Sequence, residues 1–223
     1  MAKFKVRVQS IAKVTHDVLQ IMTEKPSEFS FTSGQATEIF LDKEGWEEEG
    51  RPFTLTCLPT DNHLEFTIKT YPERKGVTNE LLTLKVDDHL FVNDIFGDIA
   101  YKEEGIFIAG GAGITPFVAI FRELHAKNMI GNNKLIFANR TKADIIYNDE
   151  FTKMLGSNFI NVLSTGDEDG YEQGYITEEL LKKYADGTVN NYYVCGPPPM
   201  MEAIEKILSN LKIDEKLIIK EAY

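Results

Sequence analysis

The stretch Gly105-Ile106-Phe107-Ile108-Ala109-Gly110-Gly111-Ala112-Gly113-Ile114-Thr115-Pro116 runs from a short apolar segment through three glycines to a helix start. An apolar run of this length bounded by turn residues reads as a buried strand. Thr115 followed by Pro116 reads as an N-cap with proline in the first helical position. Glycines let the backbone approach a diphosphate closely, and the unpaired amides and positive dipole end of the following helix favour an anion there. A dinucleotide is the natural guest of such a unit. The same residues also fit a tight strand-to-helix turn with no ligand, and the spacing Gly111-x-Gly113-x-x-Pro116 puts proline where the usual dinucleotide fingerprint has its third glycine.

Outward from this turn, strands alternate with helical stretches. Lys134 to Ala138, Asn161 to Ser164, Tyr192 to Cys195 and Leu217 to Ile219 read as strands. Phe117, Ile120, Phe121 and Leu124 mark one helix; Met200, Met201, Ile204, Ile207, Leu208 and Leu211 mark another. Such alternation predicts a five-stranded parallel sheet with helices on both faces, with ligands beyond the carboxyl ends of the strands. The segment Cys195-Gly196-Pro197-Pro198-Pro199-Met200 lies at a second such end, where a strand stops at a cysteine and three prolines before a helix. Upstream, the period is two. Phe4, Val6 and Val8, then Phe53, Leu55 and Cys57, then Leu64, Phe66 and Ile68 alternate with polar neighbours. With one short helix over Thr78 to Leu84, these predict an antiparallel barrel. The two halves divide as residues 1–100 and 101–223, and Trp46 to Gly50 reads as a solvated acidic loop.

The 223 residues carry a net charge of −11, which argues against nucleic acid or an anionic membrane as a partner. No apolar run reaches the roughly 20 residues that span a bilayer, and the amino terminus alternates instead of forming a signal-peptide core. These features predict a cytoplasmic protein. Two isolated cysteines, Cys57 and Cys195, are too few for an iron–sulfur cluster and suggest no disulfide. Any electron carrier bound here must be organic, and no metal site is expected.

Arg51-Pro52-Phe53-Thr54, Gly76-Val77-Thr78, Gly110 to Pro116, Cys195 to Met200 and Glu221-Ala222-Tyr223 stand in the order found in the ferredoxin–NADP reductase family, which this chain resembles over nearly its whole length. Phe137 to Thr141 with Asp144-Ile145-Ile146 also resembles the cytochrome reductases of that family. The resemblance implies a flavin-binding barrel followed by a pyridine-nucleotide domain, passing electrons from NAD(P)H through FAD, or less readily FMN, to an acceptor. It places Arg51, Pro52, Phe53 and Thr54 at the flavin, with Phe53 where the family usually has tyrosine. Ile68, Lys69 and Tyr71 fall at the flavin edge, and Gly76, Val77 and Thr78 at its phosphates. Gly110, Gly111, Gly113, Thr115, Pro116, Gly196, Pro197 and Met200 fall at the coenzyme. Cys195 and Thr54 flank the hydride path, and Glu221 and Tyr223 supply a terminal carboxylate and a ring against the flavin.

Arg140 ends the second strand of the nucleotide half, where an arginine accepts a 2′-phosphate, favouring NADPH; Asp144, Asp167 and the cytochrome-reductase likeness favour NADH. The expected partner is a soluble flavodoxin- or ferredoxin-type carrier. Two alternatives stand beside it: a flavin reductase that releases reduced flavin, and a non-catalytic nucleotide-binding sensor.

Overall fold

A computed structural model describes residues 4–166, 168–185 and 191–221. Strands β1 (Phe4–Lys13), β2 (Val18–Glu24), β3 (Ala36–Leu41), β4 (Arg51–Thr54), β5 (His63–Lys69) and β6 (His89–Phe96) form one antiparallel sheet in the order β4-β3-β6-β1-β2-β5. Its two outer strands meet through an antiparallel bridge between Leu55, just past β4, and Phe66 of β5, which closes the sheet into a barrel. The inward residues Val6, Val8, Ile21, Ile39, Leu64, Phe66 and Val92 fill the interior. Each such side chain contributes about 1.5–3 kcal/mol by leaving water. Helix α1 (Val77–Glu80) continues as a 3-10 turn to Thr83 and seats Val77 and Leu81 in the same core. The 46–50 segment is a turn as far as Glu48, but Trp46 packs against the barrel core, so the loop is anchored rather than wholly solvated.

The second sheet is parallel and six-stranded, in the order β10-β9-β8-β7-β11-β12. Its strands are β7 (Gly105–Gly110), β8 (Lys134–Asn139), β9 (Phe159–Leu163), β10 (Glu172–Gln173), β11 (Asn191–Cys195) and β12 (Ile218–Ile219). Five are those the sequence predicts. The sixth, β10, has only two residues, too few to show a period, and pairs in parallel with Val162 and Leu163. The central strand β7 is buried at every position. Phe107 and Ala109 face a layer containing α2 (Thr115–Ala126) and α3 (Asn148–Leu155). Ile106 and Ile108 face the opposite layer, with α4 (Glu178–Tyr184) and α5 (Pro198–Asn210). From β7 the chain builds outward through β8 and β9, then crosses to β11 on the other side. The strand order therefore reverses between β7 and β11, and a crevice opens beyond their carboxyl ends. Among the described residues, no helix is long and apolar enough to cross a membrane.

Candidate functional site

The glycine turn is shaped by what lies behind it. A Cβ at Gly113 would stand 2.3 Å from the Cys195 carbonyl oxygen and 2.7 Å from Gly196 Cα. At Gly110 it would stand 2.3 Å from Met200 Sδ and 3.0 Å from Pro197 Cδ. These two glycines let the turn after β7 press against the strand end after β11. Gly111 serves differently: at φ +51° it lies in the left-handed region, and a Cβ there would meet nothing within 4 Å. Residues 111–114 form a 3-10 turn, so α2 has Ile114 as its N-cap and Thr115 as its first helical residue. This shifts the expected cap by one residue. The Thr115 hydroxyl, instead of capping, donates to the Ala112 carbonyl at 3.1 Å. Across the crevice, α5 starts at Pro198 with Pro197 as N-cap, so two of the three prolines lie inside the helix. Neither helix start has a side-chain cap.

A cavity of about 660 Å³ opens over this turn. Gly110, Gly111, Gly113, Arg140, Gly196, Pro197 and Met200 line it, and Lys69 and Tyr71 close it from the barrel side. The predicted coenzyme residues of one half and the predicted flavin-edge residues of the other thus share one cleft. Lys69 Nζ lies 2.8 Å from Asp17 Oδ2. Burial opposes the Asp17 charge, but the hydrogen bond from Lys69 prevails and holds its carboxyl below the usual range. His16, Asp17 and Asp144 bring ligand-type atoms within 4.8 Å of one another, yet the Lys69 ammonium already occupies Asp17. On the barrel rim, the Arg74 guanidinium stacks on the Tyr71 ring at 4.6 Å.

The other predicted residues lie outside that lining. Arg51 is exposed on β4, donating to the Gly50 carbonyl at 2.6 Å with Glu49 at 3.4 Å. Beside it, Pro52 is exposed, and Phe53 and Thr54 are half-buried at the end of the same strand. Ile68 is buried in the barrel. Gly76 is the N-cap of α1, ahead of Val77 and Thr78, with no side-chain cap. Thr115 and Pro116 are buried in the first turn of α2. Cys195 ends β11 behind Gly113. Burial, reinforced by the negative charge of Glu221, pushes its thiol up to about 12. Glu221 accepts the Asp98 amide at 3.0 Å, tying the carboxyl-terminal segment to the link after the barrel. Tyr223 and Asp167 lie outside the described residues.

Sequence reading missed several members of the site. Asn139 lines the cleft nine-tenths buried, and its Nδ2 has no hydrogen-bond partner among the described residues. A buried donor left without a partner is destabilising unless a ligand or water satisfies it. Tyr175, on the loop after β10, also lines the cleft and is 80% exposed, an unusual position for so large a ring. Ser164 completes this end. A dinucleotide fits these features: glycine backbone and helix starts for the diphosphate, an orphan amide and an exposed ring for the adenosine side. On the barrel, an arginine fork, a half-buried phenylalanine and an uncapped turn fit a flavin nucleotide's phosphates and ring.

Two family profiles match in tandem. The profile described as "FAD-binding domain" covers residues 3–104, and that described as "Oxidoreductase NAD-binding domain" covers residues 107–206. NADH-cytochrome b5 reductase 2 of Mycosarcoma maydis is 30% identical, the match covering 88% of this chain and 62% of that protein. The reductase component of propane 2-monooxygenase from Rhodococcus jostii (strain RHA1) is 27% identical, over 92% of this chain and 59% of that one. The chain therefore spans about three-fifths of the length of these relatives. In fold, it superposes on the flavohem-like FAD/NAD-binding domain of nitric oxide dioxygenase from Vibrio cholerae O1 biovar El Tor with a TM-score of 0.87, at 20% identity, covering 98% of each chain.

Proposed function

From the premise that this chain belongs to the ferredoxin–NADP reductase family of flavin oxidoreductases, we propose that it takes hydride from NAD(P)H onto FAD and passes single electrons to a soluble carrier protein. The observation that carries this reading is the single cleft walled by Lys69 and Tyr71 of the barrel and by Gly110 to Gly113 and Gly196 to Met200 of the parallel sheet. A cleft shared by the two halves lets one wall hold the hydride donor and the other the acceptor. The bound flavin supplies the redox chemistry; the protein supplies position and electrostatics.

In this reading Arg51 and the Gly76–Thr78 amides hold the flavin diphosphate, while Phe53 and Tyr71 offer rings to the isoalloxazine and Thr54 a hydroxyl to its edge. The coenzyme diphosphate lies over Gly111, and Asn139, Arg140, Ser164 and Tyr175 take the adenosine end. Gly196 to Met200 bound the nicotinamide. A thiol displaced to about 12 stays protonated at neutral pH, so Cys195 packs beside the nicotinamide as a neutral group rather than as a nucleophile.

The proposed acceptor is an acidic one-electron carrier of the flavodoxin or ferredoxin type. A protein of charge −11 repels such a partner except where positive charge is local. The exposed Arg74 and Lys75, next to Tyr71 at the cleft mouth, supply it. The purified protein should be yellow, retain flavin through gel filtration and reduce a small dye with NADH or NADPH. A protein that binds no added flavin, or that does not transfer electrons from either coenzyme, refutes the reading. Release of reduced flavin on turnover would shift it to a flavin-releasing reductase.

A further inference from the structure

In strand β5 the alternating pattern turns Glu65 and Thr67 to the outside of the barrel, yet they are only 6% and 4% exposed. The parallel half covers them. Arg122, near the end of α2, donates from Nη1 to Glu65 Oε1 at 2.6 Å and to the Thr56 carbonyl at 2.8 Å. Its Nε and Nη2 grip the Glu150 carboxylate at 2.6 and 2.9 Å. Glu65 is held further by the Thr56 hydroxyl at 2.7 Å and by Gln20 Nε2 at 2.9 Å. Tyr147 lies with its ring 4.9 Å from the guanidinium and its hydroxyl 2.9 Å from Thr67 Oγ1. Its backbone lies at φ 53°, in the left-handed region that is uncommon for a large non-glycine residue.

This cluster joins three parts of the cleft. The helix that carries Arg122 begins at the glycine turn, seven residues or roughly 10 Å upstream. Tyr147 and Glu150 follow the segment from Asn139 to Asp144 that lines the adenosine end. Glu65 shares β5 with Lys69, and the chain then runs directly to Tyr71, the barrel's own wall. We propose that Arg122 is a positioning residue, its fork joining Glu65 to Glu150 so that the coenzyme-binding walls and the barrel wall of the cleft meet at one fixed separation. An ion triad with Glu65 buried and Arg122 and Glu150 half-buried suits this task because its geometry is exacting: a small slide of one half breaks several charge-assisted hydrogen bonds at once. Ser33 on the barrel, donating to Glu123 at 2.5 Å, braces the same helix one residue on.

The proposal rests on the functional reading above, and its test separates the two. Arg122→Lys keeps the charge but cannot form the fork. At saturating NADH it should slow flavin reduction in stopped flow by about tenfold or more, while coenzyme affinity stays within about threefold of wild type. Amide hydrogen exchange should accelerate over residues 64–67 and 121–124 and stay unchanged in the sheet interior around Phe107. Glu150→Gln, at the more exposed edge of the triad, should show the same pattern more weakly and serves if Arg122→Lys does not fold. A variant that is less stable but reduces flavin at the wild-type rate overturns the positioning role. If neither coenzyme reduces the wild-type flavin, the functional reading falls, and the exchange experiment alone decides the clamp: unchanged protection at the seam in both variants refutes it.

Discussion

Adding one methyl group at Gly113 tests whether the glycine turn is wedged against the strand end after β11. The new Cβ would lie 2.3 Å from the Cys195 carbonyl oxygen, 2.5 Å from its carbonyl carbon and 2.7 Å from Gly196 Cα. All three are backbone atoms, which cannot swing aside as a side chain does. Overpacking of a tight interior costs about 1–3 kcal/mol, and contacts this short against backbone place Gly113→Ala at the upper end, about 3 kcal/mol. For a chain of this size that is a fall of roughly 6–12 °C in melting temperature. Gly111→Ala is the internal control, since it adds strain at φ +51° but meets no atom within 4 Å. Its left-handed strain of about 1–2 kcal/mol is partly offset by a stiffer unfolded chain, leaving a net loss of about 1 kcal/mol. Gly110→Ala should fall between them, because the atom it strikes at 2.3 Å is the thioether of Met200, which can rotate. Thermal unfolding of the three variants measures the order, whereas titration with NADH should show affinity falling most in Gly111→Ala, whose methyl enters the open space proposed for the diphosphate. If Gly113→Ala melts within about 2 °C of wild type, or Gly111→Ala melts lowest, the wedge does not exist.

Arg140→Ala should weaken NADPH by about 1.5–3 kcal/mol and leave NADH nearly unchanged; equal effects on both would remove the 2′-phosphate role. Because burial and Glu221 raise the Cys195 thiol from 9.0 to about 12, the folded state holds a proton that the unfolded state loses in this range. Its contribution to stability is therefore complete below pH 9 and disappears as pH rises towards 12, so wild type should lose more stability over that interval than Cys195→Ser in urea titrations. Arg74→Glu with Lys75→Glu should slow electron transfer to an acidic carrier, most below about 0.1 M salt, where screening extends beyond roughly 10 Å. Dye reduction should be unaffected, and equal losses for carrier and dye would place these residues in flavin binding or folding.

The strand-turn-helix at Gly105 to Pro116 was readable because each part has its own signal: an apolar run, clustered glycines and a proline that cannot lie deep in a helix. Gly113 and Gly196 carry such a signal for a mechanical reason, since their missing side chains are what let two loops touch. By contrast, Arg122, Glu65 and Tyr147 are ordinary residues scattered over some eighty positions, and nothing local marks them as neighbours. The one available hint was the buried-strand setting of Glu65, between Leu64 and Phe66, which reads equally as a solvent-facing position. Tyr175 was missed because β10, which aims its loop into the cleft, is two residues long and shows no period. The capping of α2 shifted by one residue because a 3-10 turn, with its tighter repeat, runs to Ile114 and leads directly into the helix at Thr115, where the cap was expected.

The barrel's strand order has a consequence for synthesis. Phe4 of β1 pairs with Val92 of β6, so the outer edge of the β1–β2 hairpin stays open until a partner 88 residues further on has emerged. At about 5–20 residues per second, the ribosome leaves that edge unpaired for roughly 5–20 s, long enough to recruit a neighbouring nascent chain. Lys5 and Arg7 lie along this edge and in the finished barrel pair with Asp42 and with Glu24 and Asp87. Arg7 meets Glu24 as soon as β2 pairs, but Asp42 follows β3, which reaches β1 only through β6, so before β6 arrives the Lys5 cation repels an identical edge on a second chain. A residue that trims the surface of the mature barrel thus guards its most vulnerable moment on the way there.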